Sequence, residues 1–244
     1  MNPDTIKNYF DKPQVVADYA AAAENVGLWN SEKKIFFSKI GKEEKILELG
    51  CGAGRISLGL WENGYSDITA TDFAPNMVAA AREIFARRNA DIETRVCDAT
   101  APDFPDESFD AVIFGFNGLM QIPKSERRRK AVSEIFRILR RGGRFVFTTH
   151  DRDAPRNRDY WNAEKRQWAT GSQQPSLDEF GDIFYEGDHG GIYIHSPARA
   201  EIESALTNAG FASIFSSARR DIAEEPPAVE DFSDDCIFWS ARKR

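Results

Sequence analysis

The chain has few cysteines, no long hydrophobic run and no excess of positive charge, and each shortage excludes a class of protein. Its three cysteines, Cys51, Cys97 and Cys236, are far apart and form no CxxC pair. This excludes a disulfide framework and favours a reducing compartment. No stretch approaches about 18 apolar residues, so no membrane-spanning helix is expected. The formal net charge of −7 disfavours nucleic acid as a partner, because phosphate backbones repel an anionic chain.

The sequence shows no internal repeats or low-complexity segments, and no signal peptide is expected. Its first residues show no cationic start followed by an apolar core. We therefore expect a cytoplasmic protein with neither a membrane nor a nucleic-acid partner, as a monomer or homodimer. The basic clusters at residues 127–130 and 242–244 are interpreted as a solvated helix face and a tail. With 244 residues, 41% of them hydrophobic, the chain suits a single domain.

The most informative segment is an apolar strand that runs into three glycines at alternate positions. Residues 45–55 read KILELGCGAGR, and a helical pattern follows at residues 56–63. Glycine lets the backbone turn sharply and approach a ligand that a Cβ atom would hold away. A turn at the carboxyl end of a strand is where open α/β sheets bind cofactors.

Short apolar runs alternate with helical patterns along the middle of the chain. One helix is predicted to begin at Pro75, and another near Ser125 is predicted to end at Gly142-Gly143 in a left-handed cap. This alternation favours a doubly wound, mostly parallel sheet. The predicted strands are Ile46–Leu49, Ile68–Thr71, Ile92–Val96, Ala111–Phe116 and Arg144–Thr149.

Three further regions complete the predicted domain around the core at residues 45–150. Residues 1–44 form a helical arm with Ser31 as a helix cap, and residues 196–244 add a helix and two edge strands, at 212–217 and 236–240. Residues 151–195 form an aromatic-rich insertion that ends in a hairpin. Because it leaves the sheet at its ligand-binding edge, we expect it to form a substrate wall together with the N-terminal arm, with a subunit interface as the alternative.

Acidic residues end the next two strands, in an order that resembles a known enzyme family. Asp72 ends the second strand, Asp98 ends the third, and Gly115-Phe116-Asn117 follows the fourth. Together with the E-x-G-x-G-x-G loop and the Leu139–Gly143 segment, they resemble the class I S-adenosylmethionine-dependent methyltransferases. The resemblance implies a seven-stranded sheet with its last strand antiparallel. It also implies S-adenosylmethionine as cofactor and S-adenosylhomocysteine as product.

The resemblance also implies roles for individual residues. Gly50, Cys51 and Gly52 would approach the methionine part of the cofactor, and Glu48 would accept from its ammonium or only brace the loop. Asp72 would hold the ribose. The adenine would lie between Phe73 and Met77, with Asp98 and Ala99 at its edge, and Phe116 would border the reacting methyl group. Two further residues have alternative roles: Arg55 as a carboxylate clasp or a surface residue, and Tyr19 as a cofactor cover or a packing residue.

The reaction and its acceptor are less specified. His150 ends the fifth strand at the ligand edge and is a candidate general base. The spacing of the three histidines matches no standard zinc pattern, so no metal is expected. Residues 116–119, FNGL, lack the [DN]-P-P-[FY] motif of enzymes that methylate nucleobase amines, which favours a small-molecule acceptor. Two alternatives remain: a nicotinamide oxidoreductase, disfavoured by the glycine spacing and Asp98, and an inert cofactor-binding protein.

Overall fold

The computed structural model describes residues 1–244 and is built around one large sheet and a separate hairpin. The nine strands are β1 Ile46–Leu49, β2 Ile68–Asp72, β3 Glu93–Val96, β4 Phe109–Phe114, β5 Leu139–Thr149, β6 Asp182–Gly187, β7 Gly190–His195, β8 Phe211–Ala218 and β9 Ile237–Lys243. The helices are α1 Pro3–Phe10, α2 Pro13–Asn25, α3 Asn30–Lys39, α4 Arg55–Glu62, α5 Pro75–Arg88, α6 Ser125–Ile138, α7 Arg158–Thr170, α8 Arg199–Ala209, α9 Arg219–Ile222 and α10 Pro227–Phe232.

The large sheet has seven strands in the order β3-β2-β1-β4-β5-β9-β8. β1 is parallel to both β2 and β4, and Ile46 is paired with Ile68 on one side and Ala111 on the other. β9 runs antiparallel between β5 and β8. The predicted fold class is confirmed, including the antiparallel pair at the edge. The strand order reverses beside β1, which is where sheets of this kind bind ligands.

Local sequence explains most of these elements. β1 is buried along its whole length, as expected for a central parallel strand covered on both faces. α5 begins at Pro75 and ends before Asn89, which has a left-handed backbone. Two apolar clusters, one on each side of the sheet, form the core. No helix in the structure is long and apolar enough to cross a bilayer.

Two predicted helix ends are wrong. In both cases a contact with residues distant in the sequence determines where the helix begins or ends. Ser31 lies inside α3 with its side chain buried, and the start of this helix is capped from 194 residues away by Glu225, which accepts from the Ser31 N–H at 2.9 Å. α6 ends at Ile138 rather than at Gly142, because Leu139 already pairs with β4. Gly142 instead lies within β5, and its carbonyl accepts from Arg242.

The interpretation of the basic clusters as solvated segments is also wrong in part. Arg128 of the first cluster is buried and ion-paired with Glu179 at 2.9 Å. Lys243 of the second cluster belongs to β9 and donates to the Leu139 carbonyl at 2.7 Å. Each cation is buried because a partner from another element satisfies it.

Candidate functional site

The glycine loop between β1 and α4 is shaped by close neighbours as well as by backbone angles. Gly50 and Gly52 have φ values of 64° and 55°, which disfavour any residue with a side chain. A Cβ atom on Gly50 would lie 2.7 Å from the Phe114 ring, and one on Gly52 would lie 2.8 Å from Tyr19. The loop is therefore held between β4 and the N-terminal arm.

Asp72 links this loop to the next helix. One carboxylate oxygen accepts from the Gly52 N–H, and the other accepts from the Ala74 N–H, both at 2.8 Å. Burial raises the pKa of Asp72, and these backbone donors oppose the shift. The carboxylate is fixed at the end of β2, and each oxygen keeps a lone pair for a further donor such as a ribose hydroxyl.

A cavity of about 1140 Å³, including its open mouth, lies over the carboxyl ends of β1, β2 and β4. It brings together every predicted cofactor residue: Tyr19, Glu48, Gly50, Cys51, Gly52, Arg55, Asp72, Phe73, Met77, Asp98, Ala99 and Phe116. Residues from five separate parts of the sequence thus surround one space.

Glu48 lies beneath the glycine loop and is 2% exposed. Its Oε2 atom accepts from both the backbone N–H and the hydroxyl of Ser57. Its Oε1 atom makes no hydrogen bond within the chain. Burial raises the pKa of Glu48 to about 7, although the hydrogen bonds from Ser57 oppose the shift. Glu48 therefore braces α4 through one oxygen and leaves the other available to a ligand.

Asp98 is held in place from two sides at the end of β3. Its Oδ1 atom accepts from the Thr100 N–H and hydroxyl, both at 2.8 Å. Its Oδ2 atom lies 3.3 Å from Nη2 of Arg127, which also lines the cavity. Arg127 was not predicted as a site residue, because a basic helix face is usually solvated. The available signal was its position in the first turn of α6, the helix that follows β4.

The N-terminal arm covers one side of the cavity, and α1 supplies four residues that were not predicted: Pro3, Ile6, Lys7 and Phe10. Tyr19 of α2 packs edge-on against Phe116, and burial raises its pKa. Arg55 lines the cavity but forms a two-pronged ion pair with Glu32 of α3, at 2.6 and 2.7 Å. Arg55 therefore anchors the arm to α4 rather than lying on the surface.

The far end of the cavity is aromatic. Phe116 and Asn117 follow β4 with φ values of 48° and 60°, an uncommon conformation for residues with side chains. Phe232 of α10, which was not predicted, stacks on Phe116 with ring centroids 4.9 Å apart. His150 lies behind this end, with Nε2 3.3 Å from the Asn117 amide nitrogen. Burial lowers the pKa of His150, although the charge of Asp234 opposes the shift.

The insertion at residues 151–195 contributes no residue to the lining of this cavity. Its predicted hairpin is present as β6 and β7, but its aromatics Trp161, Trp168 and Phe180 pack on one another. The hairpin instead holds the arm, because Lys12 donates to the His189 carbonyl at 2.7 Å. The predicted aromatic wall is formed by the arm and α10, not by the insertion.

The insertion contains a second polar cluster, in which Glu179, Asp182 and His195 have a spacing that could hold a metal ion. However, both nitrogens of the fully buried His195 are bonded to carboxylates, at 2.8 Å from Asp182 and 2.9 Å from Glu201. Burial lowers the pKa of His195, but these two hydrogen bonds outweigh it and raise that pKa above its ordinary value. The arrangement is that of a buried ionic cluster.

Comparison with known proteins agrees with this geometry. Residues 46–143, which carry β1 to the start of β5, match a family model described as a methyltransferase domain. A SAM-dependent methyltransferase from Methanosarcina mazei superposes with a TM-score of 0.67 at 21% identity, over 89% of this chain and 98% of that one. The chain has the fold of the class I S-adenosylmethionine-dependent methyltransferases, and its residues 46–143 match a methyltransferase domain.

The similarity to curated methyltransferases covers only part of this chain. A demethylmenaquinone methyltransferase from Thermus thermophilus is 38% identical over 42% of this chain and 46% of its own length. A Drosophila melanogaster eEF1A lysine and N-terminal methyltransferase homolog is 34% identical over 42% of this chain and 16% of its own length. The chain thus matches less than half the length of each relative. One name refers to a quinone precursor and the other to a protein, so the shared half does not specify the acceptor.

Proposed function

We propose that this methyltransferase transfers the methyl group of S-adenosylmethionine to a small organic acceptor by in-line displacement. The observation that carries the proposal is the cavity in which Asp72, Asp98 and the glycine loop meet. The polar groups of the cavity suit the cofactor, since Asp72 and the Oε1 atom of Glu48 offer hydrogen-bond acceptors on either side of the glycine loop. S-adenosylmethionine supplies a methyl group on a positively charged sulfur, which leaves as a neutral thioether.

The residues of the chain bind and orient the reactants. Asp72 would hold the two ribose hydroxyls, and Asp98 would accept from the adenine amino group, with Arg127 fixing that carboxylate. The free Oε1 atom of Glu48 would accept from the ammonium of the cofactor. Placing two reactants in line contributes about 7–11 kcal/mol to the lowering of a barrier, so alignment and exclusion of water supply most of the catalysis.

His150 is retained as the candidate catalytic group. Its lowered pKa keeps the imidazole neutral at pH 7, as a proton acceptor requires. To accept a proton at Nε2, the His150 ring would have to release its 3.3 Å contact with the Asn117 amide nitrogen, which occupies that lone pair in this structure. A cytoplasmic location, a monomeric or homodimeric state and the lack of a nucleic-acid or membrane partner belong to the same proposal. The free thiols of Cys51, Cys97 and Cys236 suit a reducing compartment.

The proposal is tested by incubating the purified protein with methyl-labelled S-adenosylmethionine and a deproteinised metabolite extract, followed by chromatography. We expect label in at least one small molecule and equal release of S-adenosylhomocysteine. The variant Asp72→Asn, which should bind the cofactor more weakly, serves as the control with reduced transfer. Tight cofactor binding with no transfer would support the inert alternative, and binding of NAD in place of S-adenosylmethionine would support the oxidoreductase.

A further inference from the structure

One face of α1 forms a wall of the cofactor cavity. Pro3, Ile6, Lys7 and Phe10 all line it, at the three- and four-residue spacing that places side chains on one side of a helix. The Lys7 ammonium lies over the ring of Phe73, 5.2 Å from its centroid. Phe73 is one of the two residues expected to enclose the adenine. The position of α1 therefore shapes the adenine end of the cavity.

α1 cannot hold this position through its own stability. It has eight residues, and isolated helices shorter than about 12–15 residues are marginal in water. Ile6 is its only buried residue, so little apolar surface fastens it to the core. A segment with few buried contacts opens at a low free-energy cost. Contacts made by neighbouring elements must therefore keep α1 against the cavity.

The connection between α1 and α2 is held from two sides. On one side, Asp11 binds the start of α5: its Oδ1 atom accepts from the Asn76 N–H at 2.7 Å, and its carbonyl accepts from the Asn76 side chain at 2.9 Å. On the other side lies the turn of the β6–β7 hairpin, at residues 188–189. α1 also runs beside β7. The insertion thus meets the arm at the connection between its first two helices.

His189 connects the hairpin turn to the arm with both its backbone and its ring. Its carbonyl accepts from the Lys12 ammonium at 2.7 Å, in a partly buried contact. Its Nε2 atom lies 2.7 Å from Oδ2 of Asp18 on α2. Gly190 allows the close approach, because a Cβ atom there would lie 2.9 Å from the Lys12 Nζ atom. None of these residues lines the cavity, so any effect on the cofactor passes through the helices of the arm.

We infer that the hairpin turn sets the residence time of the cofactor, with Lys12 and His189 as positioning residues that keep α1 over the adenine end. This inference rests on the proposed methyltransferase function, because it takes the cavity as the cofactor site. When the contact between Lys12 and His189 breaks, α1 can move away from Phe73 while the rest of the cavity stays formed. The bound cofactor then loses one wall and dissociates faster. The insertion thus serves the cofactor site without lining it.

The test measures the association and dissociation rates of S-adenosylhomocysteine on the full-length protein by surface plasmon resonance. Lys12→Met keeps an unbranched apolar side chain and removes the donor to the His189 carbonyl. Lys34→Met is the matched control, because Lys34 of α3 donates to the Ile222 carbonyl at 2.8 Å, the same kind of contact elsewhere on the arm. Lys12→Met should raise the dissociation rate about fivefold or more, as expected on losing a hydrogen bond made by a charged group, without lowering the association rate. Lys34→Met should match the parent.

Hydrogen exchange of residues 3–10 is the second readout, because it reports the opening of α1 directly. S-adenosylhomocysteine should slow exchange there in the parent. In ligand-free Lys12→Met the same residues should exchange faster than in the parent, with β1 and α4 unchanged. A variant that merely destabilised the fold would speed exchange in every element and reduce the number of binding sites.

An unchanged dissociation rate in Lys12→Met, equal increases in both variants, exchange in α1 that does not respond to the ligand, or faster exchange across the whole protein would overturn the inference. Failure of the parent to bind S-adenosylhomocysteine would instead overturn the proposed function.

Discussion

Glu48 makes cofactor binding dependent on pH in a range where few carboxylates titrate. Burial raises its pKa from 4.5 to about 7. If its free oxygen accepts from the cofactor ammonium, only the ionised form binds well. The affinity for S-adenosylhomocysteine should then fall as the pH falls through 7. The expected decrease is about fivefold between pH 7 and pH 6, and it approaches tenfold for each further unit.

The measurement is calorimetry with S-adenosylhomocysteine between pH 5.5 and 8, in buffers of different ionisation enthalpy, so that released protons are counted. Glu48→Gln should bind more weakly at pH 8 and lose the pH dependence. The control Glu43→Gln, which changes an exposed carboxylate before β1, should behave as the parent. A parent affinity that is flat over this range, or a variant that keeps the same slope, would refute the role of Glu48.

Ionisation of Glu48 should strengthen cofactor binding but lower the stability of the fold. A carboxyl group whose pKa is raised on folding stabilises the fold while protonated, and this contribution is lost as the pH rises from its unfolded value of about 4.5 to about 7. The buried, ionised Glu48 therefore lowers the free energy of unfolding at pH 8. Glu48→Gln should raise the melting temperature at pH 8 while it weakens binding. A lower melting temperature would show that the Ser57 contacts outweigh the burial of the charge.

Three further outcomes are expected. Asp72→Asn should weaken cofactor binding in calorimetry by about 1–3 kcal/mol, since the ribose hydroxyls lose a charged acceptor; an unchanged affinity would contradict this. Asp98→Asn should narrow the affinity gap between S-adenosylhomocysteine and its hypoxanthine analogue, and an unchanged gap would remove Asp98 from adenine recognition. His195 has a raised pKa, so its stabilising charge is complete below about pH 6.5 and lost as the pH rises through the folded value. The melting temperature of the parent should therefore fall more between pH 6 and 9 than that of His195→Gln, and parallel curves would contradict this.

The sequence predicted the cofactor half well because its signals are local. A glycine turn, an acid at a strand end and a proline at a helix start each act within a few residues. Asp72 and Asp98 lie at the strand ends where they were expected, and Pro75 begins α5. These local signals predict where the strands and helices begin and end. The position of the cavity could then be predicted from the order of the strands.

Residues outside these local motifs were predicted less well because they act through distant contacts. Ser31 was predicted to cap a helix that Glu225 caps instead. Arg127 was grouped with solvated residues, although the fold places it beside Asp98. Phe232 lies in an acidic connection with no motif, yet it stacks on Phe116 at the cavity. No local pattern indicates which of many aromatic residues will meet a given strand end.

A crystal structure with S-adenosylhomocysteine bound tests the central claim most directly, that this cavity is the methyl-donor site. The account predicts that the ribose hydroxyls bond to Asp72 and the adenine amino group to Asp98. The sulfur should face Phe116, with the amino acid end over the glycine loop. A ligand outside the cavity, or one whose adenine lies at Phe116 and whose sulfur lies at Asp98, would contradict it.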